Sequence, residues 1–79
     1  MDKKEILKQV QEIFRDQLDD EHLVLESETT AMDVDEWDSL NHLILIVGIE
    51  KHFNLKFTSK EIISFTSIGD IVNCIEGKI

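Results

Sequence analysis

Proline is missing altogether from this 79-residue chain and glycine occurs only three times. Both residues weaken helix interiors, so their scarcity suits a helical protein. There is a single cysteine, Cys74, which excludes an intramolecular disulfide and fits a reducing compartment. Lying in the apolar pattern of the last segment, it reads as a small buried hydrophobe rather than a reactive thiol. Cations are few: eight Lys and Arg stand against seventeen Asp and Glu, a net charge of −9. That charge repels nucleic acid and anionic membranes and attracts basic protein surfaces, although it also serves solubility by itself. No uninterrupted apolar run approaches a membrane span, and Met1-Asp2-Lys3-Lys4-Glu5 is not followed by an apolar block of signal type. The expectation is a cytoplasmic monomer forming one domain over residues 1–79, close to the size at which one core only just suffices.

What is present has helical spacing. Asp2 with Glu5 forms a capping-box variant, and Ile6, Leu7, Val10, Ile13, Phe14 and Leu18 then recur on one face of a first helix. From Asp19 to Asp38 the pattern dissolves into acids, Ser and Thr. A connection of this length needs a function or its own anchors, and Leu23, Val24, Leu25, Met32, Val34 and Trp37 are the candidates to pin it. The sequence does not place a helical turn inside it.

The acidic stretch Asp35-Glu36-Trp37-Asp38-Ser39 runs into the longest apolar segment, Leu40 to Phe53. Asp38 or Ser39 is the natural cap, because either side chain can accept from a first-turn N–H. At about 100° per residue, Leu45, Ile46, Ile49 and Phe53 fall on one face of this helix, and Leu40, Leu43, Ile44 and Val47 on another. A small core uses only one of them. The second must be covered by the loop, a ligand or a partner, and its position directly after Ser39 makes it a docking candidate.

Thr58 with Glu61 is a further capping box, opening a brief helix through Ile62 and Ile63. Ser67 with Asp70 opens the last helix, striped by Ile68, Ile71, Val72 and Ile75 and ended by Gly77. The predicted fold is all-α: a four-helix bundle with three main helices, one short helix and a long first loop.

Asp38-Ser39-Leu40 at the head of an apolar helix, behind a long acidic loop and ahead of Glu50-Lys51-His52-Phe53-Asn54-Leu55, resembles the acyl carrier proteins. The resemblance spans nearly the whole chain. It implies that Ser39 carries a 4'-phosphopantetheine arm taken from coenzyme A by a phosphopantetheinyl transferase. The arm's thiol, rather than Cys74, would hold an acyl group as a thioester for the loading and processing enzymes of fatty-acid, polyketide or related biosynthesis. Asp38 is the matching acid before the serine, placed to cap the helix or to help position the transferase's metal. Asp35, Glu36, Asp38 and Glu50 form an acidic rim that steers basic partners toward Leu40, Leu43, Ile44 and Val47.

This chain departs from the familiar fatty-acid carriers where they present acids two and five residues beyond the serine, since it has Asn41 and Ile44 there. Glu50 is followed by Lys51 and His52 rather than by further acids, and Trp37 before Asp38 is also unlike them. The implied protein is a specialised stand-alone carrier with a dedicated pathway, not an enzyme.

Three other readings stay open at this level. An aminoacyl or peptidyl carrier, such as a D-alanine carrier, would keep the arm and change the cargo, although the Gly-Gly-x-Ser neighbourhood commoner in peptidyl carriers is absent. An unmodified acidic adaptor would use Ser39 only as a cap. A small hydrolase would need a base and a cavity, and no Gly-x-Ser-x-Gly elbow is present. Asp33, Asp35 and Asp38 do not complete a calcium loop, because Asp38 stands where glycine is required and Ile44 where the bidentate Glu belongs. His22, His42 and His52 lack zinc-ligand spacing, and His42 reads as a partly buried histidine.

Overall fold

The computed structural model describes residues 1–79, arranged as four helices in the order α1 (Lys3–Leu18), α2 (Ser39–Phe53), α3 (Ser59–Ser64) and α4 (Ile68–Lys78). In α1 the Asp2 carboxylate accepts from the Glu5 backbone N–H at 2.9 Å, and Ile6, Val10 and Phe14 are fully buried. The cap is one-sided: Glu5 does not reach back to Asp2 but accepts from the Gln9 side chain. Both α1 and α2 end on a left-handed residue, Asp19 (φ 53°) and Asn54 (φ 55°), types that tolerate this conformation.

Helix α1 packs against both α2 and α4, so the core lies along its apolar stripe. Leu45, Ile46 and Ile49 enter it from α2, and Ile68, Ile71, Val72 and Ile75 from α4. These are the faces that helical spacing picks out. Gly77 does not end α4, as the sequence suggests; it sits within the helix without a positive φ. The following Lys78 holds the last turn down, bonding Glu61 at 3.1 Å and lying 5.9 Å over the Phe57 ring.

The long loop is anchored more by backbone than by side chains. Leu25, Val34 and Trp37 are buried and Leu23 is half-buried, but Val24 and Met32 are 67% and 93% exposed, against expectation. Leu23, Val24 and Leu25 alternate inward and outward, as irregular extended backbone does. The other anchors are hydrogen bonds: Leu23 O accepts from the Arg15 side chain, and Leu25 N–H donates to Gln11. Further on, Gly69 N–H donates to Ser27 O at 2.7 Å and Ile68 N–H to Thr29 O at 2.9 Å, with an isolated antiparallel bridge between Thr30 and Ser67. The loop is thereby fastened to the start of α4, which fixes where it delivers Ser39. No helix is long and apolar enough to cross a membrane.

Candidate functional site at the head of the second helix

Asp38 is the N-cap of α2: its backbone is extended, and its carboxylate accepts from the Asn41 N–H at 2.8 Å. Asn41 in turn donates its side-chain amide to Glu36 O at 2.7 Å, tying the last loop residues to the first turn. Ser39 is therefore not the cap. It is the first helical residue, and it is exposed. Upstream, Asp33 closes a turn by accepting from the Thr30 N–H and hydroxyl, while Asp35 and Glu36 are exposed.

Behind Ser39, the second apolar face of α2 is open. Leu40, Leu43, Ile44 and Val47 are 70%, 55%, 43% and 48% exposed, so the long loop does not fold over them. Glu50, at the far end, is half-buried and accepts from the Phe57 N–H at 2.8 Å, which makes it an anchor for the connection after α2.

Beside Ser39 lies an open groove of about 650 Å³ between the Thr30–Met32 segment, the first turn of α2 and α3. Ser39 and Asp38 are on its wall, and its lining is mostly apolar, with Met32, Leu43, Ile62, Ile63 and Phe65 contributing. Its inner side carries aromatic rings. Trp37 meets Phe14 edge-on at 5.3 Å, stacks on His42 at 6.0 Å, and His42 meets Phe65 at 6.4 Å. The Trp37 indole N–H donates to His42 Nδ1 at 2.9 Å, and His42 Nε2 is 3.1 Å from Ile62 O. Indole only donates and a carbonyl only accepts, so both bonds require the neutral ring with its proton on Nε2.

Helix α3 forms the far wall without a fully buried residue. Its reciprocal capping box joins Thr58 and Glu61 at 2.8 and 3.1 Å. The Thr58 N–H, then the Lys78 ammonium, hold the Glu61 carboxyl down at about 2. Burial pushes the Cys74 thiol up, and the Glu61 carboxylate 3.4 Å away adds to the effect. Next to α3, the Thr66 N–H and then its hydroxyl lower the Asp70 carboxyl.

The sequence marks Ser39, Asp38 and the open face of α2. It does not reveal that Met32, Ile62, Ile63 and Phe65 share a groove with them. The nearest signal was the pair Ile62-Ile63 in a helix too short to bury both. The three histidines are dispersed: His22 is exposed beside Glu21, and His52 bonds the Gln9 side chain.

The bundle thus sets Ser39 at the exposed start of α2, beside an apolar groove and an uncovered apolar face. The family model for the phosphopantetheine attachment site matches residues 8–75. The chain is 30% identical over 71 residues to an acyl carrier protein of Clostridium acetobutylicum, covering 90% of this chain and 92% of the relative. Its fold matches the solution NMR structure of a holo acyl carrier protein from Geobacter metallireducens with a TM-score of 0.86 at 40% identity, over 92% of this chain and 84% of that one. The chain belongs to the acyl carrier protein family. It is accordingly a carrier, not a catalyst, and its cofactor is covalently attached phosphopantetheine.

Proposed function

We propose that Ser39 is the attachment point and that the chain, as one carrier domain, delivers acyl thioesters between cytoplasmic enzymes of a dedicated fatty-acid, polyketide or related pathway. The observation that carries this reading is the exposed Ser39 at the first position of α2, released from capping by Asp38 and bordering the apolar groove. The residues present fit a phosphodiester at this place. Asp38 occupies the Asn41 N–H, and the Ser39 and Leu40 N–H groups and the positive end of the helix dipole would be available to an attached anion.

In the transfer, the Ser39 oxygen forms a bond to the pantetheine-bearing phosphorus of coenzyme A, the pyrophosphate P–O bond breaks, adenosine bisphosphate departs, and the serine proton goes to a base of the transferase. This chain contributes position and exposure. When bound, the arm supplies a thiol that holds the acyl group as a thioester. The groove beside Ser39 offers that cargo an apolar surface, while Leu40, Leu43, Ile44 and Val47, rimmed by Asp35, Glu36 and Asp38, form the surface that the transferase and the acyl-processing enzymes engage.

Intact-protein mass after incubation with coenzyme A, magnesium and a broad-specificity transferase tests the assignment. One added phosphopantetheine, absent from Ser39→Ala, is expected. A folded chain that gains nothing while a control carrier is modified would point instead to an unmodified adaptor. The apolar lining of the groove favours acyl over aminoacyl cargo, and parallel loading by acyl- and aminoacyl-activating enzymes separates the two.

A further inference from the structure

The end of the long loop, the first turns of α2 and the α3 segment meet at the ring of His42. Its Nδ1 takes the Trp37 indole proton from the long loop, and its Nε2 proton goes to Ile62 O on α3. Its faces and edges contact Trp37 and Phe65. His42, Trp37, Ile62 and Phe65 all line the groove that borders Ser39. Helix α3 has little else to hold it against α2: its side chains are at most half-buried, and its other ties, from Glu61 to Lys78 and Cys74, run to α4.

We infer that His42 is a positioning residue, a latch that holds α3 and the long loop to the Ser39 end of α2 while its ring is neutral and lets go of the loop when it is protonated. The reason is geometric. An imidazolium carries protons on both nitrogens, so Nδ1 then presents a donor to the Trp37 donor, and that bond cannot form. The Trp37–His42 stack turns or slides, the His42–Ile62 tie moves with it, and the groove changes width. Other titratable groups close by are already engaged. Asp38, the only other one lining the groove, is bonded to the Asn41 N–H. Glu61, preceding Ile62 on α3, is held by Thr58 and Lys78, and Asp70, beneath the α3–α4 connection, by Thr66. Trp37, Ile62 and Phe65 do not titrate, so the proton-sensitive element of this junction is His42.

For a carrier the consequence is control over shelter: the latched wall offers an apolar cargo an ordered groove to lie in, and the released wall gives it up. That consequence rests on attachment at Ser39. The latch does not, and it is read on the unmodified chain.

The experiment is NMR of the isotope-labelled, unmodified full chain from pH 8 to pH 5, the range in which histidines titrate. Trp37 is the only tryptophan, so its indole N–H resonance is unambiguous. Acidification is expected to move that resonance together with the amides of Ile62 to Phe65, while those of the α1 and α4 interiors stay in place. His42→Gln, whose amide oxygen can accept from Trp37 and whose amide nitrogen can donate to Ile62 O, should hold the high-pH positions throughout. His42→Leu should show the released positions at every pH. His52→Gln should behave as the parent chain, separating the latch from the His52–Gln9 contact between α1 and α2. An indole resonance that does not move in the parent chain, or that moves as far in His42→Gln, overturns the latch. Because parent and His42→Gln suffice for that judgement, a poorly folded His42→Leu leaves the test decisive. Failure of attachment would show separately, in the mass measurement.

Discussion

Of the adjacent Asp38 and Ser39, only the first caps the helix. Asp38 caps α2 through the Asn41 N–H, so Asp38→Ala should lower stability by about 1 kcal/mol in denaturant titration. Ser39 has no capping bond to lose, so Ser39→Ala should leave the unfolding midpoint within a few tenths of a kcal/mol, alanine being the better helix former. A large loss in Ser39→Ala together with none in Asp38→Ala would reverse the assignment of the cap. Cys74 is the other residue whose environment sets its chemistry. With its thiol pushed up by burial and by Glu61, little thiolate is present at neutral pH. Limiting maleimide at pH 7 should therefore label the arm of the modified chain well before Cys74, a difference that peptide mapping resolves.

Among the elements, α3 depends most on polar ties. The Glu61 carboxyl titrates near 2 when folded, below its ordinary 4.5, so its contribution to stability is present above about 4.5 and is lost as pH falls toward 2. The expected result is that acid sensitivity in this window shrinks in Glu61→Gln, measured as thermal midpoint against pH; identical slopes would remove Glu61 as the cause. The N-caps Asp2, Thr58 and Ser67 and the two faces of α2 were legible in the sequence, because they depend on residues three or four apart, whereas the cap of α2 was open between Asp38 and Ser39. Local pattern could not announce the Trp37–His42–Ile62 junction, which joins positions 5 and 20 residues apart, or the outward turn of Val24 and Met32. The position of Ser39 at the head of α2 was legible and the groove beside it was not. Gly77, which resembles a stop signal, continues α4 because its neighbour Lys78 is held by Glu61 and Phe57. The helical glycines differ accordingly. A Cβ at Gly69 would lie 2.9 Å from Ser27 O, whereas one at Gly77 meets nothing. Gly69→Ala should cost about 1–3 kcal/mol through displaced backbone, and Gly77→Ala should gain up to about 1 kcal/mol; urea midpoints of the two variants should move in opposite directions.

Over the whole molecule, a charge of −9 sets how encounters begin. Screening shortens the reach of that field from about 30 Å at 0.01 M salt to about 8 Å at 0.15 M. If basic partner surfaces are steered to the Ser39 end, kcat/KM for modification by the transferase should fall across that range, mostly through slower association. A flat salt profile would assign docking to the apolar face alone. One architectural feature also imposes an order of events during biosynthesis. The loop that delivers Ser39 is fastened to Ser67, Ile68 and Gly69, and α1 lacks its α4 neighbour until those residues and the ones beyond them have been made. On the reading that Ser39 is the attachment point, a chain made only as far as α3 already has its serine but lacks the contacts that hold the loop in front of it. Chains stopped before Ile68 should remain unmodified under conditions that convert the full chain. Shaping the Ser39 end of the molecule thus depends on residues that follow it by about thirty positions.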